Sequence, residues 1–312
     1  MKTAKAYETI CIYGMPGVGK TSQITELVQL VKARLGADKI VRLASANADG
    51  WGVIQPSVDL GDVVPMWVPA FPWTIQVVDR LTKGWWPENP EDPASKMLPP
   101  AQQKDWAKVG AVVFDSGTDY ADIIMRYMLN REAQPRSTFR GAAEGASHVY
   151  KDGAPAEGST PGDETGYAAA GRGHFGSDQN RLEQFINQSK DIPDRFVMWT
   201  FLADKGKDTV TRTAVYGPDV IGSAINGKVP SWFGRTIHMT VDPQTKKRVM
   251  WLHNHYDAGD PVPYLANVRD HWQAPLADFL ANEDARLTVL YKKLDESFAK
   301  VKARTQAQGA PK

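Results

Sequence analysis

Short apolar runs alternate with longer amphipathic ones along this chain, and that alternation predicts most of its elements. Thr9-Ile-Cys-Ile-Tyr13 is apolar and β-branched, as expected of a strand buried on both faces. After Gly14-Met-Pro-Gly-Val-Gly19 the period lengthens. Ile24, Leu27, Val28, Val31 and Leu35 recur at helical spacing, and Gly36 is a natural stop. Lys39–Ala44 predicts a second strand that ends in the polar stretch Ser45–Gly50; Gly61–Val68 predicts a third and Trp73–Lys83 a helix. Trp85–Pro100 is rich in proline and predicts a surface loop, followed by a helix or turn over Gln102–Lys108. Ala111-Val-Val-Phe-Asp115 predicts a buried strand ending in an acid, and Tyr120–Asn130 a helix with Ile123, Ile124, Tyr127 and Met128 on one side.

From about Gln134 to Gly173 the pattern fades into Gly, Ala, Ser, Pro and Thr. So few large apolar groups do not offset the entropy of ordering, so the stretch predicts a long mobile loop. Asp178–Lys190 resumes a helix, with Leu182, Phe185 and Ile186 inward. Arg195–Leu202, Thr209–Val215, Thr236–Val241 and Arg248–His253 predict strands. Leu276, Phe279, Leu280, Leu287, Leu290, Leu294, Phe298 and Val301 predict one long helix over Pro275–Arg304. Strands alternating with helices as far as Thr200 predict an α/β fold with a mostly parallel central sheet flanked by helices. The expected organisation is a core over 1–270, carrying the 134–173 loop, and a C-terminal helical extension over 271–312.

Composition narrows the class. The 312 residues are 42% hydrophobic and 23% charged, enough for a sizeable core. A net charge of +1 provides no global field for a polyanion, so binding to nucleic acid would depend on local patches. Cys11 is the one cysteine, which rules out a disulfide framework within the chain and fits a reducing cytoplasm. No apolar run approaches the roughly 18 residues of a membrane helix, so no membrane partner is expected. The ten tryptophans read best as core packing.

The chemistry centres on Gly14-Met-Pro-Gly-Val-Gly-Lys-Thr21, a full match to G-x-x-x-x-G-K-T/S with an apolar strand before it and a helix after it. Glycines at these positions let successive N–H groups of Gly14, Met15, Pro16, Gly17, Val18, Gly19, Lys20, Thr21 and Ser22 (all but the proline) turn toward phosphate oxygens. Lys20 is placed to reach the β- and γ-phosphates, Thr21 to join a magnesium shell, and the helix start to face the same anion. The motif predicts binding of ATP with Mg2+. Asp115, at the tip of an apolar strand, is the expected metal-side acid beside Thr21.

Hydrolysis needs more. Ser116 stands where many such enzymes carry a glutamate; a resemblance to RecA-like enzymes, which carry the base at the end of the strand after the phosphate-loop helix, implies Asp49, the one carboxylate in Ser45–Gly50, and an Asx turn before Gly50 explains Asp49 equally well. Thr200, polar within an apolar strand, is a candidate γ-phosphate sensor, or else a buried threonine bonded to its own backbone. Arg235, Arg269 and Arg212 are the arginines available to act in trans. His253 and His255 lack a third ligand and read as a polar strand end.

The order of these features resembles a RecA-like P-loop ATPase core, and more closely the phage-encoded ATP-binding proteins of single-strand annealing and recombination. The similar stretches are Gly14–Ser22, Val112–Ser116, Phe175–Pro193, Gly217–Gly234 and Pro263–Arg269. The resemblance implies Lys20, Thr21 and Asp115 as the nucleotide site, ATP hydrolysis linked to single-stranded DNA, and a homo-oligomer. It also implies DNA-facing loops at Gln134–Gly173 and Asp204–Asp208, with Arg136, Arg140, Lys151, Arg172, Lys205 and Lys207 as phosphate contacts. Two departures stand out: no glutamate follows Asp115, and Leu202-Ala203-Asp204 replaces the polar residue usual past the sensor strand. A nucleotide or small-molecule kinase, and a module that binds ATP without hydrolysis, remain open on the motif alone.

Overall fold

The computed structural model describes residues 8–46, 51–68, 74–92, 95–133, 172–207, 211, 213–220, 225–257, 260–268 and 275–309. Strand β1 (Thr9–Tyr13) leads through the glycine-rich turn into α1 (Ser22–Leu35), then β2 (Ile40–Ser45), the short α2 (Gln55–Asp59), β3 (Val63–Trp67) and α3 (Thr74–Leu81). A small pair, β4 (Trp86–Pro87) with β5 (Met97–Leu98), organises the proline-rich segment, ahead of β6 (Val109–Asp115) and α4 (Gly117–Ala133). Next come α5 (Arg172–Ser189), β7 (Phe196–Phe201), β8 (Ala203–Lys207), β9 (Ala214–Pro218) and β10 (Arg235–Val241). The chain closes with β11 (Arg248–Trp251), β12 (His253–Tyr256), β13 (Pro263–Val268), β14 (Phe279–Ala281) and α6 (Leu287–Gly309).

The main sheet runs β3-β2-β6-β7-β1-β10-β13-β9-β8, with β11 and β14 continuing from β10 and β12 from β13. From β3 through β10 every neighbouring pair is parallel. Most of the later pairs are antiparallel; β13 with β9 is parallel. Both faces of the parallel half are covered, which is why its strands read as unbroken apolar runs rather than alternating ones. In β1, Ile10 and Ile12 pack with Ile24, Leu27 and Val31 of α1 and Leu287, Leu290 and Leu294 of α6. Cys11 and Tyr13 face the other core, with Ile124 of α4 and Phe185 of α5. Phe114 stacks on Trp199 at 4.3 Å, and the Trp199 indole N–H, which burial would otherwise strand, donates to Ser189 Oγ at 3.0 Å.

Three expectations are corrected. The expected single helix over Pro275–Arg304 is instead β14, a short turn and α6. Phe279–Ala281 pairs with β11, with Met250 opposite Leu280, and the helix begins only at Leu287. Apolar residues at 276, 279 and 280 fit a helix stripe by spacing, yet Leu280 is buried and Phe279 exposed, the alternation of a strand. The fully buried Gln23 of α1 fixes the switch: its amide donates to Ala285 O at 3.1 Å and accepts from Leu287 N at 3.0 Å, satisfying the opening of α6. Asp204–Asp208 is not a loop as far as it is described; Ala203–Lys207 is the edge strand β8, its lysines of the kind that protect an open edge. The helix expected from Asp178 starts at Arg172. The remainder of the expected mobile loop, 134–171, lies outside the described residues.

Candidate functional site

Strands β1, β6 and β7 end side by side, and the turn after β1 wraps over their tips. Gly17 and Gly19 carry φ of 79° and 98°, values that side chains other than glycine rarely tolerate. Gly14 is required for a different reason: a Cβ there would lie 2.2 Å from the Met239 carbonyl oxygen of β10. Val18 turns its side chain into the core with Ile24, while Met15 is exposed, so these two offer a ligand their backbone. Pro16, Gly17, Gly19, Lys20, Thr21 and Ser22 line one side of a cavity of about 440 Å3; Val53, Asp115, Ser116, Asp119, Leu202 and Arg248 complete it.

Inside this cavity the charges are partly desolvated. Lys20 Nζ donates to the carbonyls of Gly14 (2.8 Å) and Met15 (2.9 Å). Burial pushes its ammonium down to about 8, against the pull of Asp115. Burial raises the Asp115 pKa, while a hydrogen bond from Thr200 and the charge of Lys20 draw it back. Thr21 Oγ1 reaches Asp115 Oδ2 at 3.4 Å and the fully buried Thr200 hydroxyl donates to Asp115 Oδ1, so two threonines flank one carboxylate. Register explains the meeting: β7 lies between β1 and β6, with Thr200 opposite Ile12 and Trp199 opposite Phe114, which sets Thr200 beside Asp115. Beyond Asp115, Ser116 Oγ donates to Asp119 Oδ2 at the start of α4.

This donor set suits a magnesium-bound phosphate chain: a ring of backbone turned by glycines, a lysine, and a hydroxyl beside a carboxylate. A parallel sheet in which the acid-bearing strand and the phosphate-loop strand flank a third, hydroxyl-tipped strand decides the architecture. The fold is α/β, a mostly parallel central sheet flanked by helices with the phosphate loop after β1. No family model matches the chain, and no curated protein matches it. Among solved structures it is similar to the RadB recombinase, with a TM-score of 0.39 and 12% identity over 82% of this chain and 84% of that one. A likeness that distant carries no functional argument.

Asp49 lies outside the described residues, as do Arg212, Arg269, Arg136, Arg140 and Lys151, and the Arg172 side chain. Arg235 is not available to act in trans: it is 6% exposed, pairs with both Glu8 oxygens and faces the Tyr291 ring. His255 Nε2 meets His238 Nδ1 at 3.2 Å and stacks on Trp251, with a bulge between it and His253. Lys205 and Lys207 are exposed on β8, away from the cavity lining. Val53, Asp119 and Arg248 line the cavity without having been marked by sequence reasoning. Asp119 lies in the first turn of α4, four residues past Asp115, where an acid is ordinary at a helix start. Arg248 lies far along the chain in a strand whose neighbour, β10, is set by tertiary pairing.

Proposed function

We propose that this protein is a RecA-type ATPase that binds ATP with Mg2+ at the phosphate loop and hydrolyses it in DNA recombination or annealing, encoded by a phage and working as a homo-oligomer on single-stranded DNA. The observation that carries the nucleotide part is the Thr21–Asp115–Thr200 cluster at the mouth of a complete phosphate loop. The DNA, oligomer and phage parts rest on the resemblance of Gly14–Ser22, Val112–Ser116 and the later stretches.

When bound, magnesium supplies positive charge against the phosphate oxygens. Thr21 and Asp115 are the residues that would hold it. Lys20 holds phosphate oxygens once it leaves the Gly14 and Met15 carbonyls, and Thr200 acts through Asp115, keeping that carboxylate ionised and oriented. Asp119 lines the same cavity and is a carboxylate able to accept a proton from water, a role open to it beside Asp49.

Phosphate release measured with and without single-stranded DNA tests the reading. Wild type should turn over and be stimulated by DNA. Lys20→Ala should bind ATP poorly, and Asp119→Asn should bind ATP normally and release phosphate at least ~100-fold more slowly. Transfer to an acceptor instead of water would make the chain a kinase, and tight binding without turnover would make it a binding module. Unchanged ATP affinity in Lys20→Ala would refute the site itself.

A further inference from the structure

Arg248 opens β11 and turns its guanidinium onto the phosphate loop. A Cβ placed on Gly19 would lie 2.9 Å from Arg248 Cζ, 2.9 Å from Nε and 3.2 Å from Nη1. Three atoms at nearly one distance mean that a face of the planar group, not its edge, rests on Gly19. Its in-plane N–H donors are then left for a partner other than this backbone. The carboxylate of its own hairpin is already engaged: Asp242 Oδ1 accepts from Gln244 N at 2.7 Å and Thr245 N at 2.9 Å. Lys20 lines the same cavity, so two cations share it.

Sheet order says which part of a ligand the guanidinium meets. Strand β11 is joined to the phosphate-loop strand β1 through β10, on the side opposite β7 and β6. Asp115, Thr200 and the metal-side hydroxyl of Thr21 therefore stand on one flank of the loop and Arg248 on the other. Thr21 and Asp115 are the residues that would hold magnesium against the terminal phosphates, so the flank away from Asp115 is the one left for the nucleoside end of the chain. We propose that Arg248 is a nucleotide-binding residue that donates to the α/β-phosphate end, in the same chain that supplies Lys20. This rests on the nucleotide-binding reading above. It assigns Arg248 to binding rather than to the charge that develops at the γ-phosphate.

The test is the affinity of wild type, Arg248→Ala and Arg248→Lys for ATP and for ADP, measured by calorimetry with Mg2+, together with kcat and KM. A charge-assisted hydrogen bond lost from both ligands weakens ATP and ADP by the same factor, about 10- to 100-fold. KM rises and kcat stays within about threefold, the pattern of lost uniform binding. Arg248→Lys keeps the charge without the planar fork and should fall between the two. Because Arg248 is exposed, Arg248→Ala should keep the wild-type unfolding midpoint; if it does not, Arg248→Lys carries the same comparison. Wild-type affinity for both ligands in the variants overturns the inference and leaves the nucleotide site standing. A loss confined to ATP, with a fallen kcat, also overturns it by moving the guanidinium to the γ-phosphate. A wild type that binds neither nucleotide overturns both readings.

Discussion

Replacing Thr200 by valine is a sharp probe of the site, because it removes one hydroxyl and leaves the volume of a fully buried side chain almost unchanged. Burial raises the Asp115 pKa, and two threonine hydroxyls and the nearby Lys20 offset part of that rise. Of the two hydroxyls, Thr21 stands at 3.4 Å, beyond the usual range, so the closer Thr200 carries more of the load. A hydrogen bond to a charged acceptor contributes about 1.5–3 kcal/mol, and a valine methyl facing the carboxylate returns none of it. The ionised form of Asp115 loses that support, so Mg2+-dependent ATP affinity should fall about 10- to 100-fold at pH 7. Affinity for ATP without the metal should change little. Folding stability should drop by about 1–3 kcal/mol where Asp115 is ionised, and the drop should fade at acid pH once the carboxyl is protonated. Thr200→Ser keeps the hydroxyl and should retain the metal dependence. The assay is ATP titration with and without Mg2+ over a pH series, alongside urea unfolding. Equal metal dependence in wild type and Thr200→Val would refute the reasoning, since Asp115 would then not need the Thr200 hydroxyl.

Two further outcomes follow from buried charge. The Lys20 ammonium is held down to about 8, and phosphate favours its charged form, so ATP binding above pH 8 should take up a proton. Affinity should be flat in this group's contribution below about pH 8 and should weaken by up to about tenfold per pH unit above it; calorimetry in buffers of different ionisation enthalpy measures the proton, and a flat profile to pH 9.5 would count against the site. Asp178 of α5 is almost fully buried, its Oδ1 has no hydrogen-bond partner among the described residues, and burial followed by the charge of Asp122 lifts it to about 8. The folded state thus keeps a proton that the unfolded chain gives up near pH 4, so the cost grows as pH rises from about 4 to 8. Asp178→Asn should be stabilising by on the order of 2–4 kcal/mol at pH 8 and near neutral at pH 4, as read from urea midpoints.

Legibility along the chain follows the range of the interactions involved. The phosphate loop was readable because its chemistry is local: glycines, lysine and threonine act at fixed backbone spacing, with β1 and α1 on either side. Asp115 was readable from the apolar run that ends in it. Arg235 was misjudged because its partner Glu8 is remote in sequence, and no spacing rule connects them. The stretch 276–280 fits helix and strand periods alike, and only the edge offered by β11 decides between them.

By itself, then, the sequence determined the buried parallel strands, the phosphate loop and the acid that faces it, because continuous apolar runs and a contiguous motif encode them directly. Tertiary structure alone decided that Thr200 bonds Asp115, that Asp119 and Arg248 line the cavity, and that α6 begins where Gln23 meets Leu287. Those contacts depend on strand order and register. Strand order and register are settled by how both faces of the sheet are buried, a property of the assembled core that no short window of residues carries.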